Sequence, residues 1–70
     1  MKYVILLERG KENYSAYAPD LDGCAAAAET KEETIEMMQV AMQEHICLLR
    51  ESGEEIPMPS IESTVIEVRI

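Results

Sequence analysis

The stretch from Tyr14 to Thr30 constrains the fold more than any other part of the chain. A short strand at residues 14–18 runs into Pro19, which has no N–H to donate to a strand ladder. The next residues, 20–23, read Asp-Leu-Asp-Gly, and their Asx-type side-chain bonds and permissive glycine favour a turn. A second apolar run, Cys24 to Ala28, follows at once. The stretch therefore predicts a strand, a tight turn and a second strand.

A long helix is predicted to begin directly after this hairpin. Thr30 has the side chain of a helix N-cap, and Glu33, three residues later, completes the pattern of a capping box. From Lys31 to about Ser52 the chain has neither proline nor glycine, and Gly53 is a natural C-terminal stop. One apolar stripe at helical spacing is expected to face the sheet: Ile35, Met38, Met42, Ile46 and Leu49.

The two ends of the chain are predicted to be further strands. Residues Lys2–Glu8 are apolar on both faces of a strand, and the polar, glycine-containing turn Arg9–Asn13 would join them to the second strand. Residues Ser63–Ile70 alternate as a last strand, reached through an extended connector that contains Pro57 and Pro59. The sequence thus predicts one α+β domain over residues 1–70, with the order β-β-β-α-β and one helix packed on a mainly antiparallel sheet.

The small size of the chain favours oligomerisation. A single core in 70 residues rarely supplies more than about 3–5 kcal/mol of stability. Cys24 and Cys47 follow no secretory signal, so a disulfide is not expected, and one histidine with two scattered cysteines does not form a metal-ligand spacing. One helix covers only one face of a sheet. We therefore expect a homodimer or a dimer of dimers, with its interface near the last strand: Thr64, Ile66, Val68 and Ile70.

The charge balance limits the class of partner. Fourteen acidic and six basic residues give a formal net charge of −8. Direct binding to nucleic acid is disfavoured because phosphate contacts need clustered lysine and arginine. Either the charge attracts a basic protein, or it only keeps a small protein soluble. No apolar run is long enough for a membrane span or a signal peptide, so we expect a cytoplasmic protein.

No catalytic arrangement emerges from the sequence. Four carboxylates near strand ends are candidates for a metal site, but the two aspartates are better explained as turn formers: Glu8, Asp20, Asp22 and Glu29. His45 lies beside the apolar helix stripe without a partnered nucleophile and is interpreted as a packing residue. Cys24 is interpreted as a small buried residue rather than a redox thiol. We expect no enzymatic activity and no cofactor.

Three blocks of residues resemble the HicB-like antitoxin family and together cover almost the whole chain. The first is the turn region, the second is Thr30 with Glu32 and Glu33, and the third is Gly53-x-x-Ile56-Pro57-x-Pro59. The residues of the turn block are Tyr14, Ala16, Pro19, Asp20, Leu21, Gly23 and Cys24. The chain departs from the family pattern at Asp22, where proline is usual, and at Ala28, where glycine is usual. It also lacks the helix-turn-helix or ribbon-helix-helix DNA-binding domain of many members, so operator binding is not expected.

The resemblance implies a partial RNase H-like fold and the function of an antitoxin. Members of the family bind HicA toxins, which are small basic proteins that cleave mRNA, and the catalytic histidine of such a pair belongs to the toxin. The candidate toxin contacts in this chain are acidic residues at the two ends of the helix: Glu32, Glu33, Glu36, Glu54 and Glu55. An orphan HicB-like module that binds another protein or a small ligand is the alternative.

Overall fold

The computed structural model describes residues 1–70 and contains three strands and one helix. The strands are β1 (Leu6–Arg9), β2 (Tyr14–Tyr17) and β3 (Ala25–Ala28), and the helix is α1 (Lys31–Glu51). The strands form one antiparallel sheet in the order β1-β2-β3. α1 packs mainly on β2 and β3. This architecture confirms the predicted α+β class and the order β-β-β-α.

Both predicted hairpin turns are present. Arg9 pairs with Tyr14, so the first turn spans residues 10–13 and is closed by the Gly10 N–H, which donates to the Asn13 carbonyl oxygen at 2.8 Å. The second turn connects β2 to β3. In it Gly23 has a φ of 76°, in the left-handed region where a residue with a β-carbon is strained.

The helix begins and ends where the sequence predicts. The Glu33 N–H donates to Thr30 Oγ1 at 3.1 Å, so Thr30 is the N-cap. At the other end Gly53 has a φ of 71°, and its N–H donates to the Arg50 carbonyl oxygen at 3.2 Å. The Glu54 N–H donates to the Leu49 carbonyl oxygen at 2.9 Å, which completes a Schellman motif.

The core is small and lies between the helix and the β2–β3 hairpin. Its buried apolar residues are Ala16, Ala18, Leu21, Cys24 and Met38. Partly buried Met42 and Ile46 of the predicted helix stripe pack against it. Only 6 of 70 residues are buried, so the core contributes little hydrophobic stabilisation to a monomer.

The predicted helix stripe is wrong at its first position. Ile35 is 45% exposed, and the neighbouring Thr34 is fully buried instead. Its hydroxyl group donates to the Thr30 carbonyl oxygen at 2.8 Å and lies 3.4 Å from the Tyr14 carbonyl oxygen. A buried polar side chain is acceptable there because the backbone next to it offers hydrogen-bond acceptors.

The predictions for the two outer strands need correction. β1 begins at Leu6 rather than at Lys2, although residues 3–5 are half-buried. Continuing the register of β1 and β2 would place Val4 opposite Pro19, which has no N–H for the ladder. The predicted strand Ser63–Ile70 is absent, and every residue from 61 to 70 is exposed.

The exposed C-terminal segment gives the molecule an elongated shape. Its principal extents are 49 × 25 × 16 Å, and its radius of gyration is 13.9 Å. A compact domain of this length has a radius of gyration of about 11 Å. The difference shows that part of the chain extends away from the core.

Candidate functional site

Three glutamates form an acidic surface at the first turns of α1, namely Glu32, Glu33 and Glu36. All three are exposed. The positive end of the helix dipole stabilises negative charge at this position, so the charges also favour the helix itself. The structure thus brings together the three candidate toxin contacts at the helix start.

Glu33 has a structural role that Glu32 and Glu36 do not share. Its Oε1 accepts a hydrogen bond from the Thr30 hydroxyl group at 2.9 Å, while its N–H donates to the same hydroxyl oxygen. The predicted capping box is therefore present in a variant form. The Glu33 side chain accepts from the Thr30 hydroxyl group, whereas in the usual box it accepts from the backbone N–H of the N-cap residue. Glu32 and Glu36 lie one helical turn apart on one face, where both can meet a cation on a partner.

The other two candidate contacts lie at the far end of the helix. Glu54 and Glu55 are exposed at the start of the connector, directly after Gly53. A helix of 21 residues is about 30 Å long, so these acids are roughly that distance from the helix-start acids. The five candidate residues therefore form two separate acidic surfaces.

Asp20 holds the C-terminal connector rather than its own turn. Its carboxylate accepts hydrogen bonds from the Ser60 hydroxyl group at 2.6 Å, from the Ser60 N–H at 3.0 Å and from the Ile61 N–H at 3.2 Å. The predicted Asx-type role of its side chain is thus wrong. The bonds from Ser60, and then the weaker one from Ile61, hold the pKa of the Asp20 carboxyl below its ordinary value.

A second long-range bond fixes the connector. The Tyr3 hydroxyl group donates to the Pro57 carbonyl oxygen at 2.7 Å. With the Asp20 bonds it attaches residues 57–61 to the end of the sheet where β1 begins. Neither contact is visible in the sequence, because the partners lie 40 to 54 residues apart along the chain.

The four predicted interface residues are all exposed in the single chain. They are Thr64, Ile66, Val68 and Ile70, and Val65 between them is also exposed. Ile66 is 77% exposed and Val65 is 97% exposed. Since the predicted strand does not form within one chain, the structure shows these apolar side chains without a covering surface.

The remaining candidate residues are dispersed. Cys24 is buried in the core, and this burial raises the pKa of its thiol, whereas Cys47 is exposed. His45 is half-buried on the helix beside the core, and Asp22 is exposed in the turn. No three histidine, cysteine, aspartate or glutamate side chains come together as metal ligands. The one helix, α1, is not apolar enough along its length to cross a membrane.

A cleft of about 350 Å³ lies between the N-terminal residues and the second half of α1. Its apolar lining consists of Met1, Tyr3, Met42, Ile46 and Ile56, and its polar lining includes Arg50. The cleft has no cluster of acidic or nucleophilic side chains.

Comparison with known proteins gives one match. A family model, described as HicB-like antitoxin of bacterial toxin–antitoxin system, matches residues 3–68 of the chain. No curated protein and no solved structure matches the chain significantly. The matched range includes the turn at Asp20–Gly23, the capped helix, the proline connector and most of the exposed C-terminal segment.

Proposed function

The chain belongs to the HicB-like antitoxin family, and we propose that it neutralises a HicA-type toxin, a small basic protein that cleaves mRNA, by direct protein binding. The family match over residues 3–68 carries this proposal. The net charge of −8 supports it independently of the family. A protein that holds RNA presents a basic surface, and an acidic protein is electrostatically complementary to that surface.

The helix-start acids are the best candidates for the toxin contact. Glu32 and Glu36 project from the first turns of a capped 21-residue helix, so their positions are fixed before binding. Glu54 and Glu55 stand on the connector after the helix. A rigid acidic surface loses less conformational entropy when it binds a partner. The two surfaces are about 30 Å apart, which is close to the full width of an interface of about 800 Å² per partner, so a contact centred on one surface leaves the other at its edge.

Two double variants with the same net charge distinguish a direct toxin contact at one acidic surface from long-range electrostatic attraction by the whole protein. Glu32→Lys with Glu36→Lys and Glu54→Lys with Glu55→Lys each change the formal net charge from −8 to −4, because each replacement adds two charges. Glu33 is left intact because it closes the helix cap. We expect both double variants to slow association, and only the helix-start variant to accelerate dissociation strongly. Equal dissociation rates for the two would contradict this placement of the contact.

Co-expression tests the function itself. The toxin candidate would be a small basic protein encoded next to this chain, if the native genome carries one. Its expression alone should arrest growth, and co-expression of this chain should restore growth. If the neighbour is harmless, or if its toxicity persists and no complex forms, the alternative of an orphan module that binds another protein or a small ligand replaces the antitoxin proposal.

The cellular location of the proposed antitoxin follows from the mRNA that its toxin would cleave. A toxin that cleaves mRNA acts where mRNA is translated, so we propose that the antitoxin is cytoplasmic. It is further proposed to act as a homodimer or dimer of dimers, without enzymatic activity, without a cofactor and without direct contact to nucleic acid. The small core and the exposed apolar C-terminal segment support an oligomer.

A further inference from the structure

The C-terminal segment, residues 62–70, has the composition of a strand but no strand partner. Its apolar residues Val65, Ile66, Val68 and Ile70 are all exposed, with exposed fractions of 74% or more. β-branched residues dominate it, and they favour a pleated, half-buried strand over a solvated coil. A row of such side chains in water is unusual for a monomer and indicates an interaction site.

The contacts of the connector explain why this segment leaves its own sheet. Asp20 binds the two residues, Ser60 and Ile61, that directly precede the segment. Pro57 and Pro59 stiffen the approach to this attachment point. The chain is therefore anchored just before residue 62, and every residue from 61 to 70 is exposed.

A free position for a strand exists at the edge of β1. β1 pairs only with β2, so the backbone N–H and C=O groups on its other edge have no strand partner. Leu7 on β1 is 38% exposed. It pairs with buried Ala16, so it points to the helix side of the sheet.

The β1 edge suits an apolar strand better than the other sheet edge does. The helix packs mainly on β2 and β3, so the helix side of β1 is the less covered part of the sheet, and Leu7 is exposed there. An apolar cleft lined by Tyr3, Met42 and Ile46 lies between the residues that precede β1 and the helix. A strand placed beside β1 would direct alternate side chains to this less covered side of the sheet.

We propose that two copies of the chain exchange residues 62–70 reciprocally, each copy adding its segment as a fourth strand beside β1 of the other. Nine extended residues span about 30 Å, which is more than enough to pair with the whole of β1. The arrangement is two-fold symmetric and closes on itself, so the free β1 edge and the apolar segment of both copies are covered in one dimer. It adds the strand that the single chain lacks.

The first test measures the solution mass of the full-length chain and of two point variants. Light scattering at micromolar concentration should give twice the 7.9 kDa chain mass for the unmodified protein. Ile66→Glu should give the single-chain mass. Val40→Glu is the matched control, because Val40 is 59% exposed on the outer side of the helix, and it should remain dimeric. A monomeric unmodified chain, a dimeric Ile66→Glu variant or a monomeric Val40→Glu variant would each overturn the proposal.

The second test distinguishes exchange from pairing between the two C-terminal segments. Leu7→Glu damages the receiving edge and leaves the segment intact, so this variant alone should be monomeric. When it is mixed with Ile66→Glu, the intact segment of the first meets the intact β1 edge of the second. The mixture should therefore form a heterodimer in which only one C-terminal segment pairs with a β1 edge. Circular dichroism should show that each variant is folded. A dimeric Leu7→Glu variant, or a mixture that stays monomeric, would show that β1 does not receive the segment.

Discussion

Residues 14–53 and residues 54–70 are held by different kinds of interaction. The first region makes most of its contacts with itself: two strands, a tight turn, a capped helix and nearly the whole core lie within it. The second region has no regular structure and is attached through hydrogen bonds to Tyr3 and Asp20. The comparison teaches that the first region establishes the fold, while the apolar side chains of residues 61–70 are left uncovered in the single chain.

Removal of a core side chain should have the largest effect. Met38 is fully buried and belongs to the first region, so Met38→Ala should cost about 2–5 kcal/mol in unfolding free energy. Met37, its neighbour on the same helix, is 48% exposed, and Met37→Ala should cost less than about 0.5 kcal/mol. Urea denaturation of both variants provides the measurement. Similar values for the two would contradict the assigned core.

Replacement of the turn glycine should have the next largest effect. Gly23→Val should cost about 1–2 kcal/mol, because φ is 76° and a β-branched residue resists the left-handed region. No atom lies within 4 Å of an added β-carbon, so the expected loss comes from backbone strain and not from a clash of that carbon. Gly23→Asn should cost less because asparagine tolerates this conformation. A Gly23→Val variant with the melting temperature of the unmodified chain would show that the left-handed conformation at residue 23 does not strain a β-branched residue.

Removal of the helix cap should have a smaller effect. Thr30→Ala deletes the acceptor of the Glu33 N–H and should cost about 1 kcal/mol. Thr30→Ser keeps an equivalent hydroxyl group and should retain most of the stability. The melting temperatures of the two variants give the comparison, and an unaffected Thr30→Ala variant would mean that the cap does not stabilise the helix.

Release of the connector should leave the fold intact. Asp20→Asn weakens the acceptor of the Ser60 and Ile61 bonds, so hydrogen exchange at these two amides should accelerate while exchange in α1 stays unchanged. Asp22→Asn, in the same turn but exposed, is the control and should change neither. Faster exchange throughout α1 in Asp20→Asn would show that the two regions are not separable.

Lowering the pH should weaken the same hydrogen bonds as Asp20→Asn does, because it protonates the Asp20 carboxylate. The folded-state pKa of Asp20 is lowered chiefly by the Ser60 hydroxyl group, so the bonds contribute fully at pH values above the unfolded value of about 3.9. That contribution is lost as the pH falls from there through the lower folded-state pKa. Protection of the Ser60 amide should follow the same titration.

The sequence predicts the first region well and the second poorly, for a physical reason. Thr30, Gly23 and Gly53 act on their immediate neighbours, and local signals of this kind are visible in sequence. The role of Asp20 was missed because its partners lie 40 and 41 residues away. The prediction that Ile35 faces the sheet was wrong because helical spacing alone does not reveal hydrogen bonds. The neighbouring Thr34 is buried there because its hydroxyl group donates to the Thr30 carbonyl oxygen.

The last predicted strand illustrates the same limit. Residues 63–70 have the alternation and the β-branched residues of a strand, but a strand also requires a partner with free backbone groups. The single chain does not bring one to them. The positions of the candidate acids at opposite ends of the helix follow from the predicted helix bounds, and the helix of 21 residues in the structure agrees with them. The role of these acids as toxin contacts stays a prediction.

Inhibition of a purified toxin tests the antitoxin proposal most directly. RNA cleavage by a candidate toxin, a small basic protein encoded beside this chain, would be measured while this chain is titrated into the reaction. Direct binding predicts that cleavage falls in proportion to the added chain and ceases at a fixed stoichiometric ratio. Cleavage that continues unchanged at a large molar excess of the folded chain would contradict neutralisation by direct contact.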